Sequence, residues 1–290
     1  MEVELVLDAK AVLGEGALWH APSRRLFWVD IERHEVHVLD PATGSDRGID
    51  IGQKVSTIVV RRSGGLVMAV QHGFATLDLE TEQVGVLCEP ESPRADTRFN
   101  DGKCDPAGRF WAGTMSLTRT RGAANLWRLD PDLRVECMLD DVTTSNGIVW
   151  SLDHRTMYYI DTPTRRVTAF DYVVETGGIA NRRDVVLFPE GAGSPDGMAI
   201  DARGMLWIAQ FRAGRVSCWD PVGGTMLQAV DLPVTKVTSC AFGGPNLDEL
   251  YITTARIDLT EEELSHQPHA GGLFRVRPGV QGVGSFEFAG

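Results

Sequence analysis

Asp196-Gly197-Met198-Ala199-Ile200-Asp201-Ala202-Arg203-Gly204-Met205-Leu206-Trp207-Ile208-Ala209 is the stretch on which the reading of the fold turns. Residues 197–200 read as a short apolar strand, and Asp201 to Gly204 as a turn of polar and glycine positions. Residues 206–209 are the next strand and residues 215–219 a third, ended by Asp220-Pro221. The same grammar recurs from Asn100, through Asp105-Pro106-Ala107-Gly108 into Phe110-Trp111. It recurs again from Asn146, through Ser151-Leu152-Asp153-His154 into Tyr158-Tyr159. Aromatic and β-branched residues fill the strands and Gly, Pro and Asp fill the turns, which is hairpin chemistry.

Working outward, the second strand of the unit is found six times, at residues 26–29, 66–69, 109–112, 157–160, 206–209 and 250–253. A spacing of roughly 40 to 50 residues is the period of a propeller blade. Solenoid repeats are usually shorter and need polar end caps. The expectation is therefore an all-β, six-bladed β-propeller with four-stranded blades, one domain over residues 1–290. The last unit, from Ser239 through Leu273-Phe274-Arg275-Val276, is one strand short. The segment Val3-Glu4-Leu5-Val6-Leu7 is predicted to supply its outer strand and remove an exposed edge. One short helix is predicted, where Thr260 and Glu263 make a capping box.

About ten residues ahead of each repeated strand stand Glu15, Ser56, Asn100, Asn146, Asp196 and Ser239. In a propeller these positions begin the innermost strands, so their side chains converge on one mouth of the axial channel. Gly14 and Gly16, Gly147 and Gly197 flank three of them and allow sharp turns and close approach. Two carboxylates and a carboxamide gathered there are costly to desolvate without a cation between them. Oxygen ligands favour a hard ion, Ca²⁺, Mg²⁺ or Mn²⁺, and Zn²⁺ fits when water completes its shell. Asn-Gly and Asp-Gly also serve as plain hairpin turns, but here each unit carries its turn residues at a different phase.

Other chemistry is thinly represented. Ala192-Gly193-Ser194-Pro195-Asp196 lacks the flanking glycines of a nucleophile elbow, and no phosphate-binding glycine loop occurs. The pairs His34/His37 and His266/His269 read as solvated, and Trp28, Trp111 and Trp207 as blade packing. A formal net charge of −12 argues against nucleic acid and anionic membranes as partners. The five scattered cysteines, Cys88, Cys104, Cys137, Cys218 and Cys240, suit free thiols in a reducing compartment. With an acidic N-terminal stretch and no long apolar run, they point to the cytoplasm.

Leu13-Gly14-Glu15-Gly16-Ala17-Leu18-Trp19, Arg98-Phe99-Asn100-Asp101-Gly102-Lys103, Ala112-Gly113-Thr114-Met115, Ser145-Asn146-Gly147 and Pro195-Asp196-Gly197-Met198 resemble, in order, motifs of the SMP-30/gluconolactonase/regucalcin family. The segments at residues 238–244 and 267–274 extend the resemblance over essentially the whole chain. It implies a lactonase: a monomer or homodimer that opens a small-molecule sugar lactone with one divalent metal ion. By motif, Glu15, Asn146 and Asp196 correspond to the metal ligands and Asp196 also to the general base. Arg98 and Asn100 correspond to positions that hold sugar hydroxyls. After Met115, regucalcin-like members carry a longer segment with an acidic substrate contact; here residues 116–122 are shorter and carry Arg119 and Arg121 instead. Those two arginines are further substrate-binding candidates, suited to a lactone with an anionic substituent. A metal-dependent esterase or phosphotriesterase on the same propeller, and a non-catalytic calcium-binding protein, are the alternatives.

Overall fold

A computed structural model of the protein describes residues 2–290. Six four-stranded antiparallel sheets are arranged as blades. Their innermost strands are Gly14–His20, Val55–Val60, Thr97–Cys104, Ser145–Trp150, Ser194–Ile200 and Val237–Gly243. Successive inner strands touch around the ring, and the first packs against the last. The sixth blade is composite. Val3–Leu7 pairs with Leu273–Val276 as its outermost strand, with Val3 opposite Val276 and Leu5 opposite Phe274. The predicted closure is therefore present: Val3–Leu7 completes the sixth blade and covers the edge that Leu273–Val276 would otherwise expose.

Blade packing follows from the turn chemistry. Asp105 and Asp201 are fully buried. One carboxylate oxygen of each closes its own turn: Asp201 Oδ1 accepts from the amides of Arg203 and Met205, at 2.9 and 3.0 Å. Asp105 Oδ1 accepts from the amides of Ala107 and Arg109 in the same way, both at 2.9 Å. The other oxygen accepts the indole N–H of the next strand's tryptophan, Trp207 at 3.1 Å and Trp111 at 3.0 Å. A six-residue offset thus turns a buried charge into a satisfied hub and anchors a large apolar ring in the blade core. Trp28, Trp111 and Trp207 are at most 2% exposed, as the sequence predicted.

The one α-helix, Glu261–His266, is capped by Thr260 and Glu263 reciprocally, also as expected. The first histidine pair differs from expectation. His37 is buried, stacked on Trp28 with ring centroids 3.8 Å apart, and its Nδ1 lies 2.6 Å from Asp46 Oδ2. His34 sits in the preceding turn at φ +66°. A three-residue offset aligns side chains on a helix but not across a turn and a strand, so the two histidines share no face.

The C-terminal segment crosses the side of the ring where the inner strands end. Ala202 N donates to Gln281 O (2.8 Å) and Gly282 N to Leu247 O (2.7 Å) on blades five and six. Farther on, Phe288 N donates to Val60 O (2.8 Å) and Ala289 N to Gly108 O (3.0 Å), on blades two and three. Phe288 is fully buried there. These contacts hold the segment as a strap over the lower end of the channel. No helix among the described residues is long and apolar enough to cross a membrane.

Candidate metal centre and substrate mouth

Every inner strand departs from regular pairing where the ring residue stands. The register shifts between Glu15 and Leu18, Val55 and Thr57, Phe99 and Gly102, Ser145 and Ile148, Pro195 and Met198, and Val237 and Ser239. A bulge re-aims the side chains it carries and frees their backbone from the ladder. The two glycines that follow Asn146 and Asp196 let neighbouring blades close in. A Cβ on Gly147 would lie 2.6 Å from Met198 Cβ, and one on Gly197 would lie 2.8 Å from Ser239 Cα.

Glu15 is positioned from behind by Asp30, whose carboxylate accepts from the amides of Val12 (2.8 Å) and Leu13 (3.1 Å). Asp161 does the same before Asn146, accepting from the amides of Thr143 (3.2 Å) and Thr144 (2.8 Å). The carboxamide of Asn146 has a determined orientation. Thr162 Oγ1 donates to Pro195 O at 2.8 Å, so toward Asn146 it acts as acceptor, and Asn146 Nδ2 donates to it at 2.7 Å. Asn146 Oδ1 is thereby the atom turned to the ring. Asn100 is fixed as firmly: Nδ2 donates to Ser145 O (2.7 Å) and Asn146 Oδ1 (3.2 Å), while Oδ1 accepts from Arg98 Nη1 (2.8 Å).

Glu15, Arg98, Asn100, Asn146 and Asp196 are all buried, each 7% exposed or less. Burial, then the charge of Asp101, pushes the Glu15 carboxyl up to about 8, against the Gly16 amide, Arg98 and Lys103. Asp196 is pushed well above the usual carboxylate range by burial, by Glu15 and by Asp101. Burial pulls the Arg98 guanidinium down, against the charges of Glu32, Glu15 and Asp196. The two carboxyls and the guanidinium thus act electrostatically on one another. Neither carboxylate has a salt-bridge partner among the described residues, and Glu15 accepts a hydrogen bond from Gly16 N at 3.1 Å.

This donor set fits a hard cation: two carboxylates that repel each other in a dry site, plus one carboxamide oxygen aimed by its neighbours. Among the described residues no three His, Cys, Asp or Glu side chains form a metal-holding cluster, so a third protein donor beside Glu15 and Asp196 would have to be the carboxamide of Asn146. Arg98 Nη1 donates to Phe99 O (2.7 Å) as well as to Asn100; its Nε and Nη2 have no acceptor among the described residues. Ser56 belongs to the ring by sequence phase, yet its hydroxyl donates to Phe99 O at 2.6 Å. Arg119 and Arg121 are exposed on the turn after strand Phe110–Ser116, with Arg119 at φ +58°.

Two functional candidates escaped the sequence reading. Asp101 is buried, its Oδ2 has no partner, and its charge reaches both Glu15 and Asp196. Strand alternation would send it away from the face used by Asn100. The bulge between Phe99 and Gly102 lets both neighbours point inward. Thr162, in the short 3₁₀ turn Thr162–Thr164, acts only through Asn146 and carries no repeat signal.

Comparison with known proteins shows the family of the chain. The model of the SMP-30/gluconolactonase/LRE-like region matches residues 13–256. A putative sugar lactone lactonase, YvrE, of Bacillus subtilis (strain 168) is 40% identical over 290 residues, covering 100% of this chain and 99% of that protein. Human regucalcin is 42% identical over 298 residues, covering 100% and 99%. A crystal structure described as a calcium-binding protein, regucalcin, from Agrobacterium tumefaciens superposes with a TM-score of 0.94 at 26% identity, covering 98% of this chain and 96% of that one. The chain belongs to the SMP-30/gluconolactonase/LRE-like family.

Proposed function

We propose that this protein hydrolyses a sugar-acid lactone to its aldonic acid, using one divalent cation held by Glu15, Asn146 and Asp196. The observation that carries this reading is the pairing of two buried, unbridged carboxylates with an amide oxygen fixed toward them. The names of the relatives, lactonase and gluconolactonase, support the reaction class, and the calcium-binding description of one structural relative supports a divalent ion. Ca²⁺, Zn²⁺, Mn²⁺ and Mg²⁺ all suit oxygen donors with added water. Such a cation supplies Lewis-acid polarisation of the lactone carbonyl.

The protein's own groups do the rest. Arg98, through its free Nε and Nη2, and Asn100 hold hydroxyls of the ring and orient it, converting binding into position. Asp196 takes the proton of the attacking water. Burial and the charges of Glu15 and Asp101 raise its basicity, and a bound cation would oppose them. The charges of Arg98 and Lys103 oppose the rise that burial and Asp101 impose on Glu15.

The test is a pH-indicator screen of aldonolactones on chelated protein reloaded with each ion. Glu15→Gln and Asp196→Asn are each expected to lower kcat/KM at least about a hundredfold, roughly 2.7 kcal/mol. Near-native turnover in both variants overturns the mechanism. Tight cation binding with no turnover of any lactone or aryl ester would make the site a non-catalytic one.

A further inference from the structure

We propose that the opposite end of the channel is a second ligand site, for a small monocarboxylate with a compact branched aliphatic body. A cavity of about 110 Å³ lies there. Leu18, Val149, Ala199, Ala241 and Phe242 of four inner strands line it, and Phe286 of the C-terminal strap covers it. Leu18, Lys103, Val149 and Ala199 each stand three residues beyond Glu15, Asn100, Asn146 and Asp196 on the same strands. At about 3.3 Å per residue the two sites are separated by up to about 10 Å of channel.

The cavity wall carries no carboxylate and one ammonium, Lys103. Lys103 is half-buried and donates one N–H to Met198 O at 2.5 Å. The other two N–H bonds have no acceptor among the described residues, and no carboxylate stands within salt-bridge distance. The charge of Lys103 also acts on Glu15 and Asp101 along the channel, yet at the inner end of the apolar hollow it has no anion in contact, and buried charges are normally paired. An anion head on Lys103 with an apolar body along Leu18, Val149 and Phe242 satisfies both features. An apolar cavity of about 150 Å³ takes one benzene ring, so this hollow suits a body of four or five carbons. Polyols are disfavoured by the same wall, which separates this ligand from a sugar-acid substrate. The proposed site shares Lys103 with the other mouth, and its readout is binding of the acid rather than turnover of a lactone.

Titration of the full chain with 3-methylbutanoate, followed by calorimetry and ligand-detected NMR, tests it. One saturable site is expected, with 3-methylbutanamide binding at least tenfold more weakly, about 1.4 kcal/mol. Ala241→Leu fills the hollow and is expected to weaken the acid at least tenfold. Ser285→Trp, on the exposed strap over the same cavity, does so without touching the ring, should the first variant not fold. Lys103→Met is expected to erase the preference for acid over amide. Absence of saturable binding below about 20 mM, a concentration equivalent to a few kcal/mol of affinity, overturns the proposal. So does binding that persists in Ala241→Leu and Ser285→Trp but is lost in Arg98→Leu, which would put the anion at the other mouth.

Discussion

Asn146 Nδ2 donates to Thr162 Oγ1 at 2.7 Å, and that hydroxyl, committed to Pro195 O, leaves the amide one orientation. A threonine on blade four thereby decides which atom of Asn146 reaches the centre. Partners of this kind typically govern ten- to a hundredfold in metal affinity. Thr162→Val is expected to weaken divalent-ion binding by about tenfold or more, and Thr162→Ser to restore it. Calorimetric titration of chelated protein reads this without any substrate. Equal affinity in wild type and Thr162→Val would separate Thr162 from the centre.

The chelated protein is expected to lose stability as pH rises. Glu15 has an ordinary value of 4.5 and is pushed up to about 8, and Asp196 and Asp101 are also raised. Between those limits the folded chain keeps protons that the unfolded chain releases, so the slope of stability against pH is negative. The stabilising share is fully present below about 4.5 and is gone once pH passes the folded-state values. Melting in chelator at pH 5 and pH 8 should show the higher Tm at pH 5. A divalent ion should erase or reverse the difference, and Glu15→Gln should flatten it. A chelated Tm that climbs from pH 5 to pH 8 contradicts the burial of unbridged carboxylates.

Substrate charge is the point at which Arg119 and Arg121 enter. Both are exposed beside strand Phe110–Ser116, whose neighbour carries Arg98 and Asn100. If they steer an anionic substituent, Arg119→Ala and Arg121→Ala lower kcat/KM for an anionic aldonolactone several-fold and leave a neutral one unchanged. The loss should shrink as salt screens it. Equal effects on both substrates would end the idea.

Asp201 tests the packing logic. Asp201→Ala strips the indole of Trp207 and two turn amides of their acceptor at once. A loss of about 3–5 kcal/mol in denaturant unfolding is expected from leaving buried donors unpaired. Asp201→Asn, which keeps one acceptor oxygen, should cost less.

Much of this was legible in the chain itself. The spacing of Trp111 and Trp207 behind Asp105 and Asp201, and the phase of Glu15, Asn146 and Asp196, carry the blade period, because each blade repeats the same local chemistry. Asp101 was hidden because alternation assumes a regular ladder, which the bulge at Phe99 breaks. His37 was hidden because its neighbours, Trp28 and Asp46, come from adjacent strands rather than from its own segment. The strap was invisible for another reason: residues 277–290 follow no repeat, and their order comes from isolated bonds to four different blades.

The composite sixth blade has a consequence for when chemistry can begin. Glu15 rides on blade one and Asp196 on blade five, so the blade stitched from Val3–Leu7 and Leu273–Val276 stands between them. The ring that holds those two side chains in apposition is complete only when Leu273–Val276 has paired with Val3–Leu7. An ion spanning both would then act as a rivet across the seam, so that loading the protein and locking its circle shut become a single event.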